Sequence, residues 1–259
     1  MPVKVTILGC GPSSGVPTVV GNWGNCDPKN PKNRRRRPSI LVERDGTRIL
    51  IDTSPDLRDQ LLDSGTKEID AVLYTHEHAD HVMGIDDLRG VRRYMKRNID
   101  AWAAPDVIER LTGRFAYLFS GYQNPAEMYR PILDPHVIDG PFSIGAFDSI
   151  LPVEQDHGIC MTLGFRFGAF AYSTDVAKFP EGSLEALKGI DTWVVDCLRD
   201  GGGTHPTHAN LQQTLEWIAY VRPRRAVLTH MNFQADYDAM RAACPEGVEP
   251  AYDGMVLEV

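Results

Sequence analysis

The sequence predicts an α/β (α+β) fold with β-sheets in the middle and helices packed outside them. Short apolar runs typical of strands alternate with segments of helical periodicity in both halves of the chain. The pair Asp45-Gly46 lies between two such apolar runs and indicates a β-hairpin. No Pro/Ser-rich linker or low-complexity tract divides the chain, so we expect one domain over residues 1–259.

In the first half, a strand runs into a glycine-rich turn, and a later buried strand ends directly at a histidine cluster. The helix before that strand is predicted from Leu57, Leu61 and Leu62, which fall on one face. In chain order, the predicted elements are strands Val3–Leu8, Ile40–Val42 and Ile49–Ile51, helix Pro55–Ser64, strand Ile69–Tyr74, helix Val82–Arg97, strand Ile99–Ala103 and helix Val107–Leu118.

The second half repeats this mixture of strands and helices. Hairpins and βα units therefore occur in both halves, which favours sheets covered by helices. The predicted elements are strands Met161–Phe167 and Phe170–Tyr172, a short helix near Leu184–Lys188, strand Trp193–Val195, helix Leu211–Val221, strand Ala226–Leu228 and helix Ala235–Ala243.

The composition excludes several classes of protein. Of the 259 residues, 42% are hydrophobic and 24% are charged, which is typical of a globular protein and neither of a disordered nor of a fibrous one. No apolar run approaches the roughly 18 residues of a membrane helix, and the start MPVKVTILGC lacks the pattern of a signal peptide. We therefore expect a cytoplasmic location and no membrane partner.

Charge and cysteine content narrow the possible partners and sites. The chain has 27 Lys+Arg against 35 Asp+Glu, a formal net charge of −8, so a long nucleic acid is an unfavourable partner. The five cysteines are odd in number and form no CxxC pair. They argue against a disulfide scaffold and against a zinc site built from cysteine alone.

The most informative segment is Thr75-His76-Glu77-His78-Ala79-Asp80-His81, an HxHxDH pattern directly after an apolar strand. Residues two apart at a strand end point the same way, so His76 and His78 can bind one ion together. If a helix begins at Ala79, Asp80 and His81 are carried to a second position beside the first. So many ionisable groups packed together need a charge to organise them, which favours a metal site over surface histidines.

Three later residues can complete such a site. His157 lies in a short loop after a gap of many residues, Asp175 follows the strand Phe170–Tyr172, and His230 follows the strand Ala226–Leu228. All three can converge at one edge of a sheet, where the Asp175 carboxylate could bridge two ions. Imidazole and carboxylate ligands suit zinc, with manganese or iron as alternatives.

The pattern resembles the metallo-β-lactamase fold hydrolases, which have a four-layer αββα sandwich fold, and the resemblance spans nearly the whole chain. It implies one ion held by His76, His78 and His157, a second held by Asp80, His81 and His230, and Asp175 between them. Within this superfamily the chain looks most like the phosphoribosyl 1,2-cyclic phosphate phosphodiesterase branch, which is related to the tRNA 3′-processing endonucleases. That closer likeness rests on the glycine-rich opening, Arg36-Arg37-Pro38-Ser39, Leu50-Ile51-Asp52, Thr207-His208, Leu228-Thr229-His230 and Asp253-Gly254-Met255.

One departure from that branch concerns a second, structural zinc site. In the branch, cysteines clustered after the opening loop and a histidine near the last metal ligand form this site. Here Cys26 alone occupies the first region, and Phe233 stands where the histidine is expected. We therefore expect the structural zinc site to be absent.

The resemblance implies a dinuclear hydrolase that cleaves a small phosphodiester, a cyclic ribose phosphate or a nucleotide-like ester, with a metal-bridging hydroxide. Two divalent ions, zinc first and manganese second, would lower the pKa of bound water and stabilise the attacking and leaving oxygens. His208, after Pro206-Thr207 and before a predicted helix, resembles the general acid of the branch, and Asp80 is assigned a catalytic part as well as a ligand role. A helix N-terminal histidine without chemistry is the alternative for His208.

Several supporting residues complete the prediction. Asp52, at the end of a strand, is interpreted as orienting a ligand histidine, with a strand-end cap as the alternative. The segment from Lys29 to Arg37 carries six positive charges and no negative one, so a phosphate contact and simple solvation are both open for it. The candidate contacts with substrate phosphate are Arg34, Arg35, Arg36, Ser13 and Ser14.

Other interpretations stay open at this point. An aromatic group, Phe115, Tyr117, Phe119, Tyr122 and Tyr129, is a core or lid cluster or offers a ring that stacks on a base. The chain could be a tRNA 3′-processing-type ribonuclease or a non-catalytic nucleotide-binding member of the fold. Net charge and the lack of a long arm in the sequence disfavour the first, and the complete ligand set disfavours the second. A homodimer is left open, and His136 and His205 are interpreted as loop histidines.

Overall fold

The structure is a computed structural model that describes residues 2–121, 130–201 and 203–259. Two β-sheets, each of seven strands within these ranges, form its centre. None of the helices in the same ranges is long and apolar enough to cross a membrane. That residues 1–259 form a single domain stays a prediction.

The first sheet has the strand order β14-β1-β2-β3-β4-β5-β6. Strands β14 to β3 pair antiparallel and strands β3 to β6 pair parallel, so the sheet is mixed. The bounds of its strands are β1 Lys4–Gly9, β2 Ser39–Arg44, β3 Thr47–Ile51, β4 Ala71–Leu73, β5 Ile99–Ala103, β6 Leu133–Val137 and β14 Val256–Glu258.

The second sheet has the order β13-β12-β11-β10-β9-β8-β7. Strands β13 to β10 run parallel and strands β10 to β7 run antiparallel, which mirrors the first sheet. The bounds of its strands are β7 Phe142–Ile144, β8 Phe147–Asp156, β9 Met161–Phe167, β10 Phe170–Ser173, β11 Thr192–Asp196, β12 Arg225–Thr229 and β13 Val248–Pro250.

The helices cover the outer faces of the sheets. They are α1 Leu57–Ser64, α2 Ala79–Val82, α3 Leu88–Met95, α4 Pro105–Arg114, α5 Ala116–Phe119, α6 Leu211–Val221 and α7 Tyr237–Ala243, with 3₁₀ turns at Pro31–Asn33, Ile85–Asp87 and Glu185–Leu187.

Alternation along the strands explains the layers. Ile49 and Ile51 of β3 belong to the core between the two sheets, whereas Leu50 packs in a second cluster with helices α1, α3 and α4. Leu211 of α6 and Met240 of α7 cover the other sheet. Strands covered on both faces are apolar, which is why β4 and the second half of β3, Ile49–Ile51, show no polar alternation. This confirms the expected αββα sandwich.

Most predicted elements are confirmed within a few residues. The hairpin forms as the Asp45-Gly46 pair indicated, with Val42 opposite Ile49. Strands β5 and β9 and helix α6 have the predicted bounds.

The prediction of one helix over Val82–Arg97 is wrong. The chain forms α2, a 3₁₀ turn and then α3. The interruption falls at Gly84, where a Cβ would lie 2.0 Å from the carbonyl oxygen of Ser54. This close approach of two backbone segments turns the chain out of the helical path. Likewise, Val107–Leu118 divides into α4 and α5 at Phe115, and the helix near Leu184–Lys188 is a 3₁₀ turn.

The sequence analysis missed strands β6, β7, β8, β13 and β14. Strand β6 lies at the edge of the first sheet and contains Pro135, a residue that lowers strand propensity but is tolerated at an edge. The interpretation of His136 as a loop histidine is therefore wrong. It lies in β6, where its ring stacks on Trp102 and its Nε2 is 3.0 Å from Asp100 Oδ1.

Strand ends position the polar residues that matter for function. Asp52, Asp175 and His230 each follow the last residues of a strand, and each adopts a left-handed backbone conformation, with φ of 63°, 54° and 60°. Such φ values are uncommon for residues other than glycine and cost of order 1 kcal/mol or more each. The chain therefore turns sharply where these side chains enter the interior.

Near the C-terminus, the buried carboxyl of Asp253 ties three segments together. Its Oδ2 accepts a hydrogen bond from Arg36 N at 2.7 Å, and its Oδ1 accepts one from Cys10 N at 3.1 Å. Burial raises the pKa of Asp253 to about 6 from 3.8, despite these hydrogen bonds. Between pH 3.8 and about pH 6, the Asp253 carboxyl is therefore protonated in the folded state and ionised in the unfolded state.

The free energy of unfolding should therefore fall as the pH rises through this window. We expect the free energy of unfolding of wild type minus that of Asp253→Asn to decrease by roughly 2 kcal/mol between about pH 4 and about pH 6.5, because about two pKa units separate the folded and unfolded states and most of the change falls in this range. Urea unfolding at a series of pH values measures this difference. A difference that stays constant over this range would contradict it.

Candidate metal centre

The HxHxDH segment folds as its spacing predicts. After strand β4 the chain stays extended through His78, and helix α2 begins at Ala79. His76 Nε2 and His78 Nδ1 lie 2.9 Å apart, as expected for side chains two residues apart on one face. The helix turn then carries Asp80 and His81 to a neighbouring position.

The first group of candidate ligands is His76, His78 and His157, whose ligand atoms lie within 4.8 Å of one another. His157 follows strand β8 directly, and its Nδ1 is 2.7 Å from the carbonyl oxygen of Thr207. A carbonyl only accepts, so Nδ1 carries the proton and Nε2 is left with its lone pair. That tautomer makes Nε2 the ligand atom.

The second group is Asp80, His81, Asp175 and His230, and all four are buried. His81 Nε2 lies 3.3 Å from Asp80 Oδ2 and 3.1 Å from Asp175 Oδ2. His230 Nε2 lies 3.6 Å from Asp80 Oδ2 and 3.4 Å from Asp175 Oδ2.

Asp175 contacts both groups with different oxygen atoms. Its Oδ1 faces the first group, at 3.6 Å from His157 Nε2 and 3.9 Å from His76 Nε2. Its Oδ2 faces the second group through His81 and His230. A carboxylate with one oxygen toward each of two histidine groups has the arrangement of a bridging ligand.

Burial and mutual charge shift the pKa values of these residues strongly. Burial, together with the charge of His81, holds the pKa of His76 well below its usual value. Burial opposes ionisation of Asp175, but His230 and His81 outweigh it and hold the pKa of that carboxyl well below its usual range. Burial likewise opposes protonation of His230, yet the Asp175 and Asp80 carboxylates raise its pKa to about 9. The Asp175 and Asp80 carboxylates are therefore ionised, and in this buried position they require positive charge beside them.

The residues fit divalent metal ions. The buried Nε2 atoms of His81 and His230 make no hydrogen bond within the described chain, although both lie among carboxylate oxygens. Ligands about 2.0–2.2 Å from one ion are at most about 4.4 Å apart. The separation of His76 Nε2 from His78 Nδ1, 2.9 Å, and those of His81 Nε2 and His230 Nε2 from the Asp80 and Asp175 oxygens, 3.1–3.6 Å, meet this limit. Imidazole and carboxylate are donors that zinc and manganese accept.

A hydrogen-bonded layer holds the ligands in place. Asp52 Oδ2 lies 2.7 Å from His81 Nδ1, a contact of the kind that would orient this ring; that Asp52 orients a ligand stays a prediction. The same carboxylate accepts hydrogen bonds from the backbone N and the hydroxyl of Thr75, both at 2.9 Å. The Thr75 hydroxyl also lies 2.9 Å from His76 Nδ1. Asp52 and Thr75 thus contact one histidine of each group.

His208 stands beside both groups. Its Nδ1 lies 2.9 Å from Asp196 Oδ2, and its Nε2 lies 3.9 Å from Asp175 Oδ1. Its ring stacks on that of His230 with centroids 4.5 Å apart. The side chain is 11% exposed, so it remains in contact with solvent at the edge of the centre.

Thr75, Asp196 and the carbonyl of Thr207 are site residues that the sequence analysis missed. Asp196 carried a usable signal, since it is the polar last residue of the apolar strand β11. Asp52 and His76 follow strands in the same way. The Thr207 contact is made by a main-chain atom, which no residue type reveals.

The structure does not bring the arginine run to the candidate ligands. The segment from Arg34 to Arg37 lines a groove of about 1120 Å³ that none of the seven candidate ligands lines. Arg36 there forms an ion pair with Asp63, with Nη2 2.6 Å from Oδ2. Contacts of Arg34, Ser13 and Ser14 with a phosphate stay predictions; both serines are exposed, and Ser14 Oγ donates to the Gly15 carbonyl.

For Arg35 the prediction of a phosphate contact is wrong. Its side chain is buried, and its guanidinium donates to the main-chain carbonyls of Asn232 and Ala235 at 3.2 and 2.7 Å. Charge composition cannot show which way a side chain turns.

In the aromatic group, Phe115 and Phe119 are core residues, the Tyr117 hydroxyl contacts Asp86, and residues 122 and 129 lie outside the described ranges.

Residues 47–231 match the model of the β-lactamase superfamily domain. The chain belongs to this family, which confirms its recognition as a metallo-β-lactamase fold hydrolase related to the tRNA 3′-processing enzymes. A crystal structure of a diphosphatase from the PhnP family is 33% identical, with a TM-score of 0.88 over 100% of this chain and 98% of that one. Human tRNase Z, short form, shares the fold at 16% identity, with a TM-score of 0.68 over 98% of each chain.

Two relatives in other organisms are similar in sequence. An octanoyltransferase of Porphyromonas gingivalis is 31% identical over 98% of this chain and 51% of its own length. A ribonuclease Z of Bradyrhizobium sp. is 34% identical over 45% of this chain and 41% of its own length. The chain therefore spans about half the length of these relatives or less.

The contact between Asp52 and His81 yields a direct test. We expect Asp52→Asn to weaken the affinity of the chain for zinc by about 10- to 100-fold, because the amide no longer holds the His81 ring through a charged acceptor. Competition with a chromophoric chelator measures this affinity. Asp59→Asn on the exposed face of α1 is the matched control, and equal affinities in the two variants would contradict the orienting role of Asp52.

Proposed function

We propose that the chain hydrolyses small phosphodiesters with two divalent metal ions, zinc first and manganese second. The observation that carries this proposal is the position of Asp175, with Oδ1 toward the first group and Oδ2 toward the second. In this proposal His76, His78 and His157 hold one ion, Asp80, His81 and His230 hold the other, and Asp175 bridges them. When bound, two such ions supply a nucleophilic hydroxide near neutral pH and stabilise charge on phosphoryl oxygens.

Asp80 combines two tasks in this proposal. It is a ligand of the second ion. Burial opposes its ionisation, but the charge of His81 and the contacts with His230 and His81 outweigh burial, hold the pKa of this carboxyl well below its usual range and keep it ionised. An ionised carboxylate at this point orients both imidazoles and adds to the electrostatic field in which the phosphate reacts. Its part in catalysis is therefore electrostatic.

His208 supplies the proton that the leaving oxygen requires. Asp196 accepts from Nδ1, so the proton that moves is the one on Nε2, the atom that faces Asp175. Asp196 also accepts a hydrogen bond from Val176 N at 2.9 Å. This bond fixes the Asp196 carboxylate, so that it does not move together with the His208 ring. An acceptor in a fixed position on Nδ1 holds the His208 ring so that Nε2, the atom from which an acid must donate, stays directed toward the centre.

A small phosphate compound is favoured over a long nucleic acid. The diphosphatase of the PhnP family matches this chain along its whole length at 33% identity, whereas the sequence match to the ribonuclease Z of Bradyrhizobium sp. covers less than half of the chain. A net charge of −8 also weakens attraction for a long polyanion. The ribonuclease relative nevertheless makes precursor tRNA the second candidate substrate, and the octanoyltransferase relative makes an octanoyl ester a necessary control.

One assay series separates these candidates. Metal-analysed protein is incubated with bis(p-nitrophenyl) phosphate, a 2′,3′-cyclic nucleotide, a ribose cyclic phosphate, a precursor tRNA and an octanoyl ester. We expect turnover of the small phosphodiesters that is lost with a chelator and regained with zinc or manganese. Cleavage of the tRNA alone would favour the ribonuclease, and no turnover by metal-loaded protein would favour a non-catalytic binding protein.

The role of His208 predicts a dependence on the leaving group. His208→Ala should reduce turnover of the 2′,3′-cyclic nucleotide by about 10²- to 10⁴-fold, because a ribose alkoxide leaves poorly without a proton. Turnover of bis(p-nitrophenyl) phosphate should fall much less, because p-nitrophenolate is a weakly basic leaving group. Steady-state kinetics on both substrates, with metal content measured, tests this.

His205→Ala is the matched control for this experiment, since His205 is a neighbouring histidine whose Nδ1 contacts Thr207 and that belongs to neither group of candidate ligands. It should leave both rates close to those of wild type. Equal losses on the two substrates in His208→Ala, at unchanged metal content, would show that His208 is not the acid.

A further inference from the structure

Among the buried candidate ligands, His230 lacks the usual support for its ring. His76 Nδ1 lies against the Thr75 hydroxyl, His81 Nδ1 against Asp52, and His157 Nδ1 against a carbonyl. Metal-binding histidines are generally oriented by such a contact from the second ring nitrogen. His230 Nδ1 has no hydrogen-bond partner in the described part of the chain. Another element must therefore fix the direction of this ring.

The backbone around His230 can provide that direction. His230 adopts a left-handed conformation with φ of 60°, so the position of its Cβ depends on the segments that hold the turn. Met231 N donates to the Cys10 carbonyl at 3.0 Å, and Asn232 N donates to the Leu198 carbonyl at 2.9 Å. These bonds hold two amides of the turn, and Asn25 N donates to its Phe233 carbonyl at 2.8 Å. The Asn232 carbonyl accepts from Ala235 N inside the turn at 3.1 Å, and both the Asn232 and the Ala235 carbonyls also accept from a donor outside the turn.

Arg35 holds these carbonyls. Its Nη1 donates to Asn232 O at 3.2 Å, and its Nη2 donates to Ala235 O at 2.7 Å. Nη2 also contacts Asn33 Oδ1 at 3.3 Å, and Nη1 lies 3.9 Å from Cys26 Sγ. The side chain is 2% exposed, so this contact is sheltered from competing water.

The chemistry of the guanidinium suits this task. Arginine is always charged and presents its donors in a rigid planar fork, which fixes two acceptors relative to each other. Bonds from a charged donor are about twice as strong as those between neutral groups. Asn33, which touches the same guanidinium, accepts from Tyr237 N at 2.7 Å and donates to Asp236 at 2.6 Å. The segment around Arg35 is thus joined to the chain after His230 from the turn to the start of α7.

We propose that Arg35 is a positioning residue that directs His230 toward its metal ion by clamping the backbone turn of residues 231–235. The inference rests on the proposed function only in taking His230 as a ligand of the second ion. It assigns to a buried arginine an orienting role that hydrogen bonds to the ring perform at His76, His81 and His157.

The test measures metal affinity rather than activity. Wild type, Arg35→Met, Arg35→Lys and the control Arg58→Met, which removes an exposed arginine from α1, are loaded with zinc and titrated with a chromophoric chelator. We expect Arg35→Met to weaken the affinity for one of the two zinc ions by about 10- to 100-fold and to leave the affinity for the other within about threefold of wild type. Arg35→Lys, which keeps a charge but not the fork, should weaken the same ion by a smaller factor. Arg58→Met should match wild type.

A double variant identifies the ion that is affected. His230→Ala should weaken the affinity for one zinc ion. Adding Arg35→Met to this variant should produce no further loss of affinity, because both changes act on the same ligand. A further loss in the double variant, or equal weakening of both ions in Arg35→Met, would overturn the proposal and indicate a general loss of stability. If Arg35→Met does not fold, folded Arg35→Lys with wild-type affinity for both ions would equally overturn it.

The outcome is independent of the assay for the proposed function. Wild type that binds two ions but hydrolyses no phosphodiester would contradict the proposed function, and the affinities would still decide the role of Arg35. Wild type that binds only one ion would overturn the role of Arg35, because the ligand group it serves would not form a site.

Discussion

The structure depends on one buried carboxylate that is shared by two groups of histidines. Asp175 is 2% exposed and meets His76 and His157 with one oxygen and His81 and His230 with the other. An ionised carboxylate in the protein interior is costly unless positive charge compensates for it. Its surroundings supply this charge through imidazoles, and two divalent ions would do so more strongly. The dense packing of titratable groups around Asp175 follows from this requirement.

The fold meets the requirement at the ends of its strands. Asp52 follows β3, His76 follows β4, Asp175 follows β10 and His230 follows β12, and both sheets present these ends at one edge. Three of these residues turn with positive φ, a strained conformation that the hydrogen bonds of the sheets can hold. A second layer then fixes the rings, through Asp52 and Thr75 on one side and through Thr207 and Asp196 on the other. The two sheets thus hold the candidate ligand atoms at fixed distances from one another.

Local patterns in the sequence predicted the contiguous part of this centre. The HxHxDH segment lies within six positions, so strand and helix geometry alone bring its side chains together. The later candidates, residues 157, 175 and 230, were proposed from their positions after strands or in a short loop, and their division between two ions came from the resemblance, since nothing in their spacing shows that they meet. The main error concerned Arg35, where a run of positive charge suggested a solvent-facing phosphate contact. Burial and main-chain acceptors decide where such a side chain turns, and neither can be read from charge.

The fold shows the same division between local and distant information. The Asp-Gly hairpin and the apolar strands were predictable because turn chemistry and periodicity are local properties. The break at Gly84 was not, because it arises from the approach of Ser54, thirty residues earlier in the chain. Strands β6 and β8 were missed for a related reason, since their prolines lower strand propensity and their pairing with neighbouring strands compensates for it.

Anomalous diffraction from a zinc-loaded crystal tests whether Asp175 bridges two ions. We expect two zinc peaks on either side of the Asp175 carboxylate, one beside His76, His78 and His157 and the other beside Asp80, His81 and His230. Each peak should have a different oxygen of Asp175 as its nearest carboxylate atom. A single peak, or two peaks contacted by the same Asp175 oxygen, would contradict the bridging role on which the proposed function rests.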